Sequence, residues 1–288
     1  MNDTRPVEPA PLPSRTFGAG PPSAFAPPSP WRRRVQIFGW ILAVLLALLM
    51  ILVAWLAITA PLSRSLKPIV PPSISLMSAD DHLIARRGAV IDTPVTMTEL
   101  PPHVPQAFMA IEDRRFPTHW GIDPRGVARA MWHNLWSDGA SQGGSTITQQ
   151  LAKGVFLSSD RTLGRKAREA LIALWLEVWL TKDQIMERYL SNVYFGDNVY
   201  GLRAAARHYF NRVPARLTVP QAAMLAGLLK APSRLAPTGN LPGARARAAL
   251  VTQAMVDAGY LTQEERNRLR PARLDVHDDP DATSGTYF

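Results

Sequence analysis

A charged block near the middle of the chain contains a carboxylate suited to acid–base chemistry. Charge runs of this kind are usually solvated surface. The aromatic ring, histidine and glycine that follow at fixed offsets instead fit a helix that ends at the block and presents Glu112 to a cleft. A carboxylate in such a position can accept or donate a proton during catalysis. The block consists of Glu112, Asp113, Arg114, Arg115, Phe116, His119 and Gly121.

A second block, about thirty residues later, combines glycines with uncharged polar side chains. Gly143 and Gly144 allow the backbone to approach a ligand closely. Ser145 and Thr146 can cap the helix that follows, and the free N–H groups at the start of that helix form an anion site. The block therefore predicts a polar binding site beside a helix N-terminus.

The helix of this second block carries further polar groups. Gln149 and Gln150 offer neutral hydrogen bonds that suit sugar hydroxyls and amides. Lys153 lies one turn after Gln149 on the same helix face. So many uncharged polar groups have no packing reason on one helix, which favours a role in binding.

A third cluster places four cations within eight residues. Such a cluster is usually an exposed helix face, but guanidinium and ammonium groups also clamp pyrophosphate. Glu169 follows directly, at the edge of the apolar run 170–180. A carboxylate there is either paired with the cations or placed for catalysis, and the spacing leaves both interpretations open. The cations are Arg161, Arg165, Lys166 and Arg168.

One stretch near the N-terminus predicts a membrane anchor. Residues from Ile37 to Ile58 are apolar apart from Gly39 and two tryptophan ring nitrogens, and about 20 such residues cross a bilayer. The stretch starts late and lacks a small-x-small cleavage site, so we expect an uncleaved signal anchor. Arginines at 32–34 precede it, which favours a cytoplasmic N-terminus and places the rest of the chain outside the cytoplasmic membrane.

Composition excludes several kinds of site. The chain has no cysteine, its six histidines show no metal-binding spacing, and no Gly-x-x-x-x-Gly-Lys-[Ser/Thr] motif is present. The formal net charge is +9; residues 61–288 hold 27 Lys and Arg against 21 Asp and Glu, which leaves +6. On a membrane-tethered domain, this charge favours anionic lipid head groups over nucleic acid.

The chain divides into five predicted parts. Residues 1–34 hold nine of the 26 prolines and predict a disordered cytoplasmic tail. Residues 35–60 form the anchor, and 61–100 form a linker with a short hairpin. Residues 101–274 predict one mostly α domain, and the acidic residues 275–288 predict a loop-like tail.

Local sequence also predicts where helices begin. A threonine followed three residues later by Gln or Glu predicts a capping box ahead of an apolar run. The run 171–180, rich in Leu, Ile and Trp, is expected to cross the core. The predicted boxes pair Thr181 with Gln184, Thr218 with Gln221, and Thr262 with Glu265.

The blocks described above, together with residues 182–196 and 217–233, resemble the five ordered motifs of the family 51 glycosyltransferases. This family comprises monofunctional peptidoglycan glycosyltransferases and the N-terminal domains of class A penicillin-binding proteins. The resemblance covers roughly residues 105–233. It implies a mostly α, lysozyme-like domain that rests on the membrane and uses lipid II, a disaccharide-pentapeptide on undecaprenyl pyrophosphate.

The resemblance also implies roles for individual residues. Glu112 would be the general base that takes the proton from the 4-hydroxyl of the acceptor GlcNAc. Lys153 and Arg161 match positions that neutralise the leaving pyrophosphate. Glu169 matches a second acidic position in catalysis, which would orient these cations or hold a divalent ion. Other substrate-binding positions are Ser145, Thr146, Gln149, Gln150, Arg165 and Lys166, and supporting motif positions are Asp113, Arg115, Phe116, His119, Gly121, Gly143, Gly144 and Asn192.

Two features bear on how far the resemblance extends. The family usually has Asn where this chain has Gly154, which puts any contact of that Asn in doubt. Between the first two motifs, residues 124–136 include Met131, Trp132 and Trp136. These side chains suit either a lipid-facing jaw or core packing.

Three functions share these features. A lytic transglycosylase or lysozyme-like hydrolase would use an acidic catalyst but needs no pyrophosphate clamp, so the cations favour a synthase. An inactive membrane scaffold would be expected to lack Glu112 or Lys153.

No Ser-x-x-Lys, Ser-x-Asn or Lys-Thr-Gly set follows the anchor, so peptide cross-linking is not expected. A natural monofunctional enzyme and a truncated class A protein both fit.

The predicted partners follow from the same resemblance. They are lipid II, the growing glycan strand, cytoplasmic membrane lipids and cell-wall synthesis proteins, with no nucleic acid. A divalent cation, Mg²⁺ or Mn²⁺, is compatible with the site, and no organic cofactor is expected.

Overall fold

The computed structural model describes residues 30–59, 73–77, 80, 83–88, 92–136, 143–156 and 162–276. The chain separates into two compact units, residues 1–52 and 53–288. The predicted mostly α class is confirmed, because the described residues are helices and connecting turns apart from one two-stranded sheet.

Helix α1 runs from Pro30 to Thr59. Its residues 31–55 are long and apolar enough to cross a membrane, by length and composition. The helix begins five residues before the predicted anchor, so Pro30 to Arg34 are helical rather than part of a disordered tail. Arginine is a good helix former, and proline is tolerated in the first turn. The rest of the predicted tail lies outside the described residues.

The segment predicted to form a hairpin contains two strands, β1 (Ser73–Met77) and β2 (Leu83–Gly88). They pair antiparallel, with Ser73 opposite Gly88 and Met77 opposite Leu83, and the register is irregular between Leu76 and Met77.

The part of the chain that the structure describes after the strands is helical, apart from connecting turns. Single 3₁₀ turns occupy Met97–Glu99 and Pro214–Arg216. The helices are α2 (His103–Glu112), α3 (Pro124–Trp136), α4 (Ile147–Phe156), α5 (Leu163–Trp179), α6 (Lys182–Asn192), α7 (Leu202–Phe210), α8 (Val219–Leu228), α9 (Pro232–Leu235), α10 (Leu241–Asp257) and α11 (Gln263–Arg268).

Helix α8 lies at the centre of the core and packs against α2 and α10. All its residues from Gln221 to Leu228 are buried, as expected for a helix that is apolar on every side. A second group is formed by α4, which packs against α5 and α6. The helix that ends at Glu112 therefore belongs to the first group, and the helix of the glycine-containing block belongs to the second.

The apolar run 171–180 does not cross the core, contrary to the prediction. Helix α5 buries Ile172 and Leu176 completely, but Val178 and Trp179 are 60 % and 59 % exposed. The helix is amphipathic, so only one of its faces packs against the protein.

The predicted capping boxes are confirmed. The backbone N–H groups of Thr181, Thr218 and Thr262 each donate to the side-chain oxygen three residues later, at 3.0, 2.9 and 2.7 Å. These contacts are local, which is why the sequence alone could predict the starts of α6, α8 and α11.

Candidate active site

The C-terminal end of α2 presents Glu112 to a cleft of about 550 Å³. One wall of the cleft comes from the glycine-containing block, including Ser145 and Gln150. Lys230, which follows α8, and Arg247 of α10 also line it. The predicted delivery of Glu112 into a cleft thus matches the arrangement of the described residues.

Glu112 is partly buried and is held by one hydrogen bond from a neighbouring helix. The Gln150 Nε2 group donates to Glu112 Oε2 at 2.8 Å. Burial raises the pKa of Glu112 above its ordinary value of 4.5, and the Asp113 charge adds to this rise. The Gln150 hydrogen bond and the charges of Arg247 and Lys230 oppose it without cancelling it. A carboxylate with a raised pKa is a stronger base than an exposed one.

Gln150 is itself fixed by a tyrosine. The Tyr189 hydroxyl of α6 donates to Gln150 Oε1 at 3.2 Å. Tyr189 is only 2 % exposed. Three helices, α2, α4 and α6, therefore meet in one hydrogen-bonded chain that ends on Glu112.

Asp113 joins the first block to the second. Its carboxylate accepts the backbone N–H of Ile147 at 3.0 Å, at the start of α4, and contacts His119 Nε2 at 2.8 Å. Both side chains are buried. The ring of Phe116 packs edge-on against His119, with Lys182 Nζ 4.5 Å from the Phe116 ring centre. These contacts stabilise the turn after Glu112.

Gly121 lets this turn approach helix α5. Its φ of +63° is in the left-handed region, and an added Cβ would lie 2.8 Å from the carbonyl oxygen of Ala173. Only glycine fits this backbone conformation and spacing.

Thr146 and Gln149 form a capping box at the start of α4. The Gln149 N–H donates to Thr146 Oγ1 at 3.1 Å, and the Thr146 N–H donates to Gln149 Oε1 at 3.2 Å. The Thr146 hydroxyl donates in turn to the Gly121 carbonyl at 2.5 Å. Gln149 is 4 % exposed, so the structure places it beneath the cleft wall and only Gln150 of the pair faces Glu112.

Glu169 is buried between two of the predicted cations. Arg165 Nη1 donates to Glu169 Oε2 at 3.0 Å, and Lys166 Nζ pairs with Glu169 Oε1. Lys166 Nζ also donates to Ser145 Oγ at 2.9 Å. Of the two interpretations left open by the sequence, the geometry favours pairing, since Glu169 is 1 % exposed and both oxygens are engaged.

The same contacts decide how well Glu169 fits a metal ion. Both of its oxygens already accept from cations. Within the described residues, no group of three or more His, Cys, Asp or Glu side chains could hold a metal. Glu169 therefore does not fit as the ligand of a divalent ion.

Arg115 and Asp123 form an ion pair that lines the cleft. Arg115 Nε donates to Asp123 Oδ2 at 3.1 Å. Burial raises the pKa of Asp123, but hydrogen bonds from Arg115 and the Gly126 backbone outweigh it, so the pKa is lowered overall. Asp123 was not among the residues singled out from the sequence, because nothing local marks it.

The other predicted residues fall in different places. Lys153 is exposed on α4, and Arg161 lies outside the described residues. Asn192 Nδ2 donates to the Arg188 carbonyl at 2.6 Å, which closes the end of α6. Gly154 is exposed, and no atom of the described residues lies within 4 Å of a Cβ added there.

The glycines of the second block differ from each other. Gly144 packs closely against α3, since an added Cβ would be 3.3 Å from Val127 Cα. Gly143 is exposed, and within the part of the chain that the structure describes nothing lies within 4 Å of a Cβ added there. Both line the cleft beside Ser145.

Two cations of the cleft were missed as site residues. Lys230 lies within residues 217–233, one of the five ordered motifs, so the motif itself is the signal. Arg247 had no local signal, but Gly227 in the otherwise apolar helix α8 was a hint. A Cβ at Gly227 would lie 2.9 Å from Arg247 Cγ, so this glycine makes room for the arginine stem that reaches the cleft.

Helix α3 exposes a row of large apolar side chains. Met131, Trp132, Leu135 and Trp136 are 68, 68, 77 and 71 % exposed. Of the two predicted roles for this segment, core packing is therefore wrong. An exposed apolar surface of this kind is typical of an interaction site for an apolar partner.

Comparison with known proteins gives one consistent result. A family model described as Transglycosylase matches residues 80–256. Penicillin-binding protein 1A of Escherichia coli K12 is 44 % identical over 204 residues, covering 71 % of this chain and 24 % of that protein. Penicillin-binding protein 1F of Bacillus subtilis 168 is 42 % identical over 184 residues, covering 64 % and 26 %.

A crystal structure of penicillin-binding protein 1A from Haemophilus influenzae aligns with a TM-score of 0.42 and 21 % identity, covering 73 % of this chain and 22 % of that chain. The chain spans about a quarter of the length of the curated relatives named here. Because the family model matches more than half of its residues, the chain belongs to the transglycosylase family, the family 51 peptidoglycan glycosyltransferases.

Proposed function

We propose that the chain polymerises lipid II into the β-1,4-linked glycan strands of peptidoglycan. The observation that carries the proposal is the position of Glu112. Its carboxyl group lies in a cleft and has a raised pKa. It accepts a hydrogen bond from Gln150 and is flanked by Lys230 and Arg247. A single base beside several cations suits glycosyl transfer from a pyrophosphate donor.

In the proposed reaction, Glu112 accepts the proton of the acceptor GlcNAc 4-hydroxyl. The oxygen attacks C1 of the donor MurNAc, on the face opposite the leaving group. A C1–O4 bond forms while the bond from C1 to the pyrophosphate oxygen breaks, so the configuration at C1 inverts. The electron pair leaves with undecaprenyl pyrophosphate, and the proton stays on Glu112 until solvent removes it. A well-placed base contributes about 10²–10⁴-fold to such a step.

The leaving pyrophosphate requires neutralisation by cations. By family resemblance, Lys153 and Arg161 supply it. The ion pairs of Glu169 fix Arg165 and Lys166, and Lys166 also holds Ser145. Preorganised positive charge of this kind stabilises the transition state without further rearrangement.

A lipid-linked substrate also requires the site to lie at a membrane. Helix α1 is long and apolar enough to span one, and the exposed α3 row, including Trp132 and Trp136, suits the lipid interface. We propose an inner-membrane protein with a cytoplasmic N-terminus and its catalytic domain on the outer face. Cell-wall synthesis proteins are the expected partners there.

Incubation of the full chain with purified lipid II tests the proposal. The wild type in detergent, with Mg²⁺ and in parallel with chelator, should give glycan polymer. Glu112→Gln should lower the rate by about 10²–10⁴-fold with the fold intact. Glu264→Gln provides the matched control, since Glu264 is 82 % exposed on α11, and it should polymerise like wild type.

Other outcomes would redirect the proposal. A folded wild type that makes no polymer but digests finished peptidoglycan would establish a lytic enzyme. A folded chain that does neither would indicate a scaffold. Polymer from Glu112→Gln at the wild-type rate would remove Glu112 from the role of base.

A further inference from the structure

We propose that Tyr189 is a positioning residue for the base, acting through the Gln150 amide to keep Glu112 supplied with a hydrogen-bond donor. This inference rests on the proposed function, because it concerns how Glu112 is kept ready to accept a proton. Tyr189 does not line the cleft, so it is not placed to touch the substrate.

The geometry forms a directed chain of two hydrogen bonds. The Tyr189 hydroxyl donates to Gln150 Oε1 at 3.2 Å, and Gln150 Nε2 donates to Glu112 Oε2 at 2.8 Å. Each contact joins different helices, 39 and 38 residues apart in sequence. Tyr189 itself is 2 % exposed, so water has little access to replace its hydroxyl.

The tyrosine decides which end of the amide faces Glu112. A glutamine side chain carries a donor and an acceptor of nearly equal size, so it can point either way. A hydroxyl that donates to Oε1 holds the amide with its NH₂ group toward the carboxylate. Burial raises the pKa of Tyr189 well above 10, and the charges of Glu112 and Asp113 raise it further. The hydroxyl therefore stays a donor over the whole working pH range.

Without this hydroxyl, the amide is free to turn. Its oxygen would then face Glu112, and a carboxyl group beside an acceptor is favoured only when it carries a proton. The ionised fraction of Glu112 would fall at a given pH. The other charges that face Glu112, from Asp113, Lys230 and Arg247, are unchanged by the loss of a hydroxyl on α6.

Kinetics of full-length Tyr189→Phe test the inference. We expect kcat to fall by about 3- to 10-fold, as for the loss of one hydrogen bond, with KM nearly unchanged. The acidic limb of the pH–rate profile should move to higher pH. Tyr209→Phe is the matched control, because the Tyr209 hydroxyl is also buried and donates to the Phe195 carbonyl at 3.1 Å. Tyr209→Phe should keep the wild-type kcat, and the acidic limb of its pH–rate profile should lie at the wild-type pH.

A double-mutant cycle shows whether Tyr189 acts through Gln150. Gln150→Met removes the amide, so adding Tyr189→Phe to it should produce no further loss. Losses that multiply instead, or a Tyr189→Phe enzyme with the wild-type pH profile per folded molecule, would overturn the inference.

A second readout does not depend on activity. The chain can be labelled with ¹³C at its glutamate carboxyl carbons, and the Glu112 signal assigned by its loss in Glu112→Gln. Its titration midpoint should be higher in Tyr189→Phe than in wild type or Tyr209→Phe. An unchanged midpoint contradicts the positioning role. A shifted midpoint in a chain that makes no polymer supports the role while overturning the proposed function.

Discussion

At the scale of single residues, the site combines one carboxylate that is held by a neutral amide with several that have cationic or backbone N–H partners. Asp113, Asp123 and Glu169 each have cationic or N–H partners. Glu112 instead receives one hydrogen bond from a neutral amide and has a raised pKa. The residue assigned to proton transfer is therefore the one whose ionised form is least stabilised, a combination common at active sites.

This difference predicts how Glu112 affects stability. A carboxyl group with a raised pKa in the folded state contributes stability that is fully present below its unfolded pKa, near 4.5. That contribution is lost as the pH rises through the folded pKa. Glu112→Gln cannot ionise, so it should be more stable than wild type near pH 8, and its advantage should shrink toward pH 4.

Thermal unfolding at a series of pH values measures this advantage. Glu264→Gln, at an exposed position, serves as the control and should stay within about 0.5 kcal/mol of wild type. A Glu112→Gln protein that is less stable than wild type at pH 8 would contradict the raised pKa.

At the scale of elements, the start of α4 is where the two blocks meet. Thr146 caps the helix and also donates to the Gly121 carbonyl, while Asp113 accepts the Ile147 N–H. The glycine-containing block is thereby fixed to the turn that follows Glu112. The distance between Glu112 and the cations of α5 depends on this junction, since Lys166 reaches Ser145 just before α4.

Thr146→Val should weaken this junction. The change keeps the shape but leaves buried backbone groups of Gln149 and Gly121 without their hydroxyl partner, at a cost of about 1–3 kcal/mol. Thr262→Val removes a comparable cap from the exposed helix α11 and should cost only about 0.5–1 kcal/mol. Chemical denaturation of both variants gives the comparison, and equal losses would show that the α4 cap has no special importance.

At the scale of the whole molecule, the chain joins an apolar helix to a basic domain with an exposed apolar row. Helix α1 exposes its large side chains along its length, and the α3 row does the same on the domain. Neither surface is explained by packing among the described residues. Both are explained if lipid covers them, which agrees with a lipid-linked substrate.

The absence of cysteine allows a direct test of membrane topology. Single substitutions Asn2→Cys and Arg268→Cys can be labelled in spheroplasts with a membrane-impermeant maleimide, and Arg268 is 79 % exposed. We expect labelling of Arg268→Cys in intact spheroplasts and of Asn2→Cys only after lysis. The reverse pattern would place the catalytic domain in the cytoplasm and exclude the proposed orientation.

The sequence by itself determined the features that depend on composition or on neighbours a few residues away. These include the long apolar helix α1, the three capping boxes and the ordered blocks around Glu112. The reason is that caps and membrane spans are set by local hydrogen bonds and by the transfer of consecutive side chains. The central position of α8 and the one-sided burial of α5 were not predictable in this way, because the run 171–180 is about as apolar in sequence as α8.

Only the tertiary structure decided which side chains meet. It placed Arg247 beside Glu112, 135 residues away, joined Tyr189 to Gln150, and turned Gln149 into a cap while Gln150 faced Glu112. Sequence spacing carries no information on such pairs, since each results from the packing of whole helices against α8 and α4. The sequence therefore identified the family of this protein, and the packing of its helices decided which groups hold Glu112 in position.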